Sequence, residues 1–206
     1  MSSIEASKRT LAHYNQSADQ FWVGTKDHDV SQNYAALLDA IDDNGIEPPF
    51  SILDVGCGPG RDLIYFRAQG HQVVGLDGSR AFVDHARDLT GCEVWHQDFI
   101  KLDLPVEYFD GIFANASLFH VPTKELPRVL GEFHTSLKPG GILFASNPRG
   151  NNQEGMQGER YCCFHDYETW LKFLSDAEFT ELSHYYRPTG LPREQQPWLA
   201  SVWQKS

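Results

Sequence analysis

The chain has 206 residues, of which 41% are hydrophobic, 22% charged and 13% aromatic, a composition that supports a packed core and excludes disordered or collagen-like chains. Its 17 Lys and Arg stand against 28 Asp and Glu, for a formal charge of −11, and that field opposes phosphate backbones and anionic lipid, so neither nucleic acid nor membrane is an expected partner. At this length one domain with additions is expected.

The opening MSSIEASKRT lacks the apolar stretch of a secretory signal, and position 2 is Ser rather than the Gly of N-myristoylation. No run approaches the roughly 18 apolar residues of a membrane span. Four cysteines, Cys57, Cys92, Cys162 and Cys163, read as reduced thiols, and the chain as soluble and cytoplasmic.

In chain order, residues 5–45 carry Leu11, Tyr14, Phe21 and Trp22, then Tyr34, Leu37, Leu38 and Ile41 at helical spacing. They predict an N-terminal helical cap over 1–46. Short apolar runs then alternate with helical segments. Strand SILDV ends at the glycines of 56–60, and RDLIYFRAQ follows as a helix with Leu63, Ile64 and Phe66 on one side, stopped at Gly70. QVVGLD is the second strand. Ser79 caps a helix burying Phe82, Val83, Ala86 and Leu89, and CEVWHQD is the third strand. FDGIFANA is the fourth. Thr123 is placed at the cap of a helix running to Leu137, broken by Lys138-Pro139-Gly140-Gly141 before the strand ILFAS. Residues 147–165 open with the polar, glycine-rich NPRGNNQEGMQG and read as a loop, and Asp166 starts a last helix. The aromatic-rich strands TELSHYYR and WLASVWQ close the chain as an antiparallel pair.

Strands alternating with amphipathic helices predict an α/β, mostly parallel sheet with helices on both faces, and such sheets bind ligands at the carboxyl ends of their strands. Asp54-Val55-Gly56-Cys57-Gly58-Pro59-Gly60 sits at the first strand-to-helix turn, where glycines allow a close backbone approach to a nucleotide-like cofactor. A dinucleotide fingerprint starting at Gly56 needs its third glycine at 61, where Arg61 stands. That disfavours, without removing, an NAD-dependent oxidoreductase.

LDVGCGPG resembles motif I of the class I S-adenosylmethionine-dependent methyltransferases. Asp77 ends the second strand 23 positions after Asp54, Asp98-Phe99 follows the third, and FDGIFANASLFHVP and LKPGGILFAS are similar to the family's later motifs. The likeness runs in order from Ile52 to Ser146 and implies a Rossmann-like, doubly wound, seven-stranded sheet with an antiparallel C-terminal hairpin. It implies S-adenosyl-L-methionine as cofactor, with contacts from Asp54, Gly56, Cys57, Gly58, Arg61, Asp77, Gly78, Ser79, Asp98, Phe99, Asn115 and Ala116. In that carry-over Asp77 takes both ribose hydroxyls, Asp98 the adenine amino group with Phe99 against the ring, and Asp54 helps hold the methionine ammonium or braces the loop. Arg61 meets a carboxylate or the substrate, or pairs with Asp62 in solvent.

HYNQSADQFW with Thr25–Tyr34 and the Gly60-Arg61-Asp62 extension resemble a small bacterial subfamily akin to tellurite-resistance methyltransferases. The expected domains are therefore 1–46 as cap, 51–146 as cofactor core, 147–165 as a loop that either closes as a lid or is an ordinary surface loop, and 166–206 as a helix with a β-hairpin. The fourth strand ends Asn115-Ala116-Ser117-Leu118, without the Asn/Asp-Pro-Pro-aromatic signature of nucleic-acid and amide methyltransferases. The expected reaction is therefore in-line methyl transfer to a small-molecule acceptor, with a non-catalytic cofactor-binding protein as the alternative. His120 and Tyr14 are the candidate catalytic residues, His120 because a histidine titrates near working pH. Vicinal Cys162-Cys163 lacks metal-ligand spacing, so no metal is expected.

Overall fold

The computed structural model describes residues 1–206. Three helices come first: α1 (Ser3–Gln16), α2 (Ala18–Thr25) and α3 (Ser31–Asp43). The alternating region follows as β1 (Ser51–Val55), α4 (Arg61–Ala68), β2 (Gln72–Asp77), α5 (Arg80–Thr90), β3 (Glu93–His96), β4 (Phe109–Asn115), α6 (Leu126–Ser136) and β5 (Leu137–Pro148). The chain ends with β6 (Gln153–Gln157), β7 (Arg160–Phe164), α7 (Tyr167–Asp176), β8 (Phe179–Arg187) and β9 (Trp198–Lys205).

Seven strands form one sheet in the order β3-β2-β1-β4-β5-β9-β8. The first five are parallel, and β9 pairs antiparallel with both β5 and β8. The order turns back on itself between β1 and β4, so a crevice opens there at the carboxyl ends of the strands.

Period-2 alternation explains why these strands read as unbroken apolar runs. Ile52, Phe113, Phe144 and Val202 point to one face, against Leu37 and Ile41 of α3 and Phe66 of α4. Their neighbours Leu53, Ile112, Leu143 and Trp203 point to the other, against Leu130 and Phe133 of α6 and Trp170 of α7. Both faces are covered, so inward positions on either side of the central strands are mostly apolar, with Asp54 and Asp110 as buried exceptions. Between them, Gly111 lets α3 approach β4: a Cβ there would lie 2.7 Å from Cδ1 of Ile41.

Several local expectations need correction. Ile64 and Leu89, assigned to the buried sides of their helices, are 41% and 43% exposed; Thr90, one step round α5, is buried instead. Thr123 begins only a one-turn 3-10 helix and α6 starts at Leu126, with Pro127 in its first turn, where a missing N–H costs nothing. Leu137 already belongs to β5, and Lys138–Gly141 sits inside that strand at a register shift against β4.

The stretch 147–165 is not a structureless loop. It holds the antiparallel hairpin β6-β7, in which Gly155 faces Cys162 and only Gly158 and Glu159 form the turn. Gly158 has φ +62°, which suits the first central position of a two-residue hairpin turn. The glycine-rich composition read as a loop, whereas one of its glycines specifies a hairpin turn.

Gly111→Ala should lower stability by about 1–3 kcal/mol through overpacking. Because Ile41→Val removes the opposing Cδ1, the double variant should recover part of that loss in urea unfolding; strictly additive losses would contradict this packing.

Candidate functional site

A cavity of about 870 Å³ opens at the carboxyl edge of the sheet, over the turning point between β1 and β4. Twelve of the fourteen residues singled out from the sequence line it: Tyr14, Gly56, Cys57, Gly58, Arg61, Asp77, Gly78, Asp98, Phe99, Asn115, Ala116 and His120. Asp54 and Ser79 do not.

The glycine turn is built for close approach. Gly56 at φ +71° has no room for a side chain, since a Cβ would lie 2.4 Å from Ser117 Cβ in the turn after β4. Gly58 donates its N–H to Asp77 Oδ2 at 3.0 Å, while the Ser79 N–H reaches Asp77 Oδ1 at 2.7 Å. Burial pushes the Asp77 carboxyl up to about 6, with these amides opposing the rise. Each Asp77 oxygen thus takes one backbone donor and keeps a further acceptor position. Ser79 serves structure: its hydroxyl caps α5 at Phe82 N and donates to Asn15.

Asp54 lies beneath the turn, 1% exposed, with Oδ2 unpartnered. Burial first, then the charge of Asp62, drives its carboxyl upward. The wall position is occupied by Asp62, which the sequence offered only as one of three alternative partners of Arg61, in solvent. Asp62 accepts Tyr34 Oη and Arg61 Nε at 2.6 Å each, Arg61 Nη2 at 2.9 Å and Asn115 Nδ2 at 3.4 Å. Arg61 also donates to the Thr25 carbonyl, so α2, α3, β4 and α4 meet at one ion pair. That pair is in the cavity wall, with side chains 22% and 7% exposed, rather than in solvent.

The N-terminal helices roof the cavity. Ser7 on α1 donates to Asp98 Oδ2 at 2.6 Å, and Ile100 N reaches Asp98 Oδ1 at 3.1 Å. The hairpin meets α1 through Tyr161 N to Thr10 Oγ1 at 2.9 Å. Beside that seam His120 Nδ1 lies 2.7 Å from the Tyr161 carbonyl and Nε2 lies 2.7 Å from Tyr14 Oη. A carbonyl only accepts, so Nδ1 carries the ring proton and Tyr14 donates to Nε2. Both ring nitrogens are engaged, and burial lowers the His120 pKa to about 4. The sequence expectation of a histidine titrating near neutrality is therefore corrected: His120 is a neutral acceptor for Tyr14. Cys162 and Cys163 are buried free thiols whose pKa values burial raises, the second to about 12. They face hydrogen-bond partners in the hairpin wall, with Cys163 Sγ 3.1 Å from the Val121 carbonyl.

Sequence reasoning also missed Arg160 and Arg187, which line the far side of the cavity. No local pattern marks them, since hairpin and strand ends acquire their place only through the sheet.

Comparison with known proteins agrees with this geometry. Residues 52–141 match the family described as methyltransferase domain. Over 109 residues the chain is 33% identical to a sterol 24-C-methyltransferase of Yarrowia lipolytica, covering 48% of this chain and 28% of that protein. Over 105 residues it is 32% identical to a trans-aconitate 2-methyltransferase of an Azoarcus species, covering 50% of this chain and 41% of that one. The chain thus spans less than half the length of these relatives. Among solved structures, the Burkholderia thailandensis 1,6-didemethyltoxoflavin-N1-methyltransferase, with its substrate and S-adenosylhomocysteine bound, superposes with TM-score 0.78 at 22% identity, covering 100% of this chain and 91% of that one. These likenesses speak for the methyltransferase class and its fold, and leave the narrower tellurite-resistance subfamily without support.

Asp62→Ala should cost about 3 kcal/mol in urea unfolding, because it strands the Arg61 guanidinium in the wall. Asp62→Asn, which keeps an acceptor for Tyr34, should cost less; an unchanged midpoint for the Ala variant would show that the pair holds nothing together.

Proposed function

We propose that this chain, whose core is a class I S-adenosylmethionine-dependent methyltransferase domain, moves a methyl group from S-adenosyl-L-methionine to a small-molecule acceptor. The observation that carries the reading is the convergence of the Gly56–Gly58 turn, Asp77 and Asp98 on one cavity. The residues present fit the cofactor: Asp77 retains acceptor positions on both oxygens, and the unpartnered Asp54 Oδ2 waits beneath the turn.

Asp77 would accept both ribose hydroxyls, and Asp98 the adenine amino group beside Ser7, with Phe99 against the ring. Gly56, Cys57, Gly58, Gly78, Asn115 and Ala116 would line the cofactor's path. Arg61 works through Asp62, holding the wall in place rather than touching substrate. The bound cofactor supplies a sulfonium-activated methyl, whose bond to sulfur breaks, with its electron pair left on sulfur, as the acceptor's lone pair bonds the carbon in line. The chain's own contribution is positioning and exclusion of water, with α1, α2 and the β6-β7 hairpin as the roof. Tyr14 and His120 knit that roof together, and neither offers a base matched to neutral pH. An acceptor whose attacking atom is already anionic or carries no acidic proton fits this arrangement. A small-molecule acceptor matches the size of the cavity and the acidic surface, and the chain is assigned to the cytoplasm on the same composition. No helix is long and apolar enough to cross a membrane.

Calorimetry should detect micromolar binding of S-adenosylhomocysteine, and no heat with it alongside tight binding of NAD would overturn the reading. Asp77→Ala should weaken that binding about a hundredfold, two charge-assisted hydrogen bonds of about 1.5 kcal/mol each being lost. With the Asp77 pKa at about 6, wild-type affinity should fall as pH drops through 6, because protonation removes an acceptor. The sign is opposite for the ligand-free protein. A carboxyl whose folded pKa is raised contributes stability that is complete below its unfolded value and lost as pH rises through 6. Affinity flat from pH 7.5 to 5 would remove Asp77 from the site.

A further inference from the structure

We infer that the acceptor bears an oxyanion, a carboxylate or phosphate ester on an apolar body, read by Arg160 and Arg187. The inference rests on the methyltransferase reading and names the substrate class for it.

The sheet order divides the cavity. Asp77 closes β2, Asp98 follows β3 and the glycine turn follows β1, so the proposed cofactor residues occupy one half. The other half lies over β4-β5-β9-β8. There Trp198 pairs with Pro148 on one side and Arg187 on the other, and the β6-β7 hairpin that carries Arg160 leaves from the end of β5. Asp77 and Asp98 stand on the cofactor half, while Arg187 at the end of β8, beside the Asp29 backbone, and Arg160 on the hairpin, seated against Tyr14, come from the other side.

Their pairing separates these arginines from the third one in the wall. Arg61 is neutralised by Asp62 at 2.6 Å. Neither Arg160 nor Arg187 belongs to any of the ion pairs in the molecule. Both are nevertheless held in position by neutral oxygens: Arg160 Nη1 donates to Tyr14 Oη at 3.3 Å, and Arg187 Nη2 donates to the Asp29 carbonyl at 2.8 Å. The nearest acid at that mouth, Asp29, has its carboxylate turned to the backbone and hydroxyl of Ser31 at 3.0 and 2.7 Å. A guanidinium has five N–H donors, so each arginine keeps several for a ligand.

In a chain of net charge −11, two anchored cations that line one cavity and belong to no ion pair, with the Asp29 carboxylate feeling the charge of Arg187 from beyond salt-bridge reach, are an anion-recognition device. Phe119, with Phe164 and Trp198 each 6.4 Å from it between ring centroids, supplies the apolar wall beside them. The engaged nitrogens of His120 agree, since an acceptor that arrives with a negative charge needs no base to prepare it.

The test is calorimetry on the full chain saturated with S-adenosylhomocysteine, using benzoate, cinnamate and phenyl phosphate against benzamide, cinnamamide and benzyl alcohol. At least one oxyanion should bind about tenfold more tightly than its neutral counterpart, with the preference shrinking as salt rises. Phenyl phosphate against benzoate separates the two anion sources. Arg160→Gln/Arg187→Gln should abolish that preference while S-adenosylhomocysteine affinity stays within about twofold, a span of less than 1 kcal/mol. Equal or tighter binding of the neutral probes throughout, or an oxyanion preference that survives the double substitution, would overturn the inference. Failure of S-adenosylhomocysteine itself to bind the wild-type chain would instead overturn the methyltransferase reading.

Discussion

The buried carboxylate of Asp77 is the constraint around which the site is assembled. It ends β2, takes the N–H of Gly58 from the turn after β1, and takes the N–H of Ser79 at the start of α5. Burying a carboxylate is costly, and burial raises its pKa to about 6 against the opposing pull of the two amides. A glycine turn at positive φ is what lets the Gly58 amide reach the acid. The acid, the turn and the helix start are therefore one unit, facing the crevice where the sheet order reverses.

A second unit faces it. Asp62 gathers Arg61, Tyr34 and Asn115, so the N-terminal helices are attached to the sheet through a charge in the wall rather than by apolar packing alone. The hairpin closes the remaining side through α1. The result is a cavity with Asp77 and Asp98 at the ends of β2 and β3 and with Arg160 and Arg187, outside every ion pair, reaching it from the hairpin and β8, a polarity suited to a cationic cofactor meeting an anionic partner. That polarity arises in an acidic chain because its inward cations are few and its wall acids are already hydrogen-bonded.

The sheet was legible because parallel strands covered on both faces are apolar at most positions, and the acids at strand ends stood out against those runs. The glycine turn was legible for the same reason, as small residues where a strand becomes a helix. The roof was not. Its contacts join residues far apart in the chain: Ser7 to Asp98, Tyr14 to His120, Thr10 to Tyr161. Nothing local in SNPRGNNQEGMQGERYCCF announces that α1 lies across it, and the hairpin turn at Gly158 resembled loop composition. The pairing of Arg61 with Asp62 was one of the alternatives the sequence left open; its burial in the wall was not legible, because it depends on Tyr34 and Asn115 from distant elements. Ser79 is the helix cap that the sequence predicted, and neither it nor Asp54, which lies in the layer beneath the turn, lines the cavity.

The most direct test of the account is a crystal structure of the chain grown with S-adenosylhomocysteine. The account predicts both ribose hydroxyl oxygens within hydrogen-bonding distance of Asp77 and the adenine amino group on Asp98, with the sulfur directed toward the half of the cavity that holds Arg160 and Arg187. Ligand density elsewhere, or in the cavity with Asp77 untouched, would contradict it.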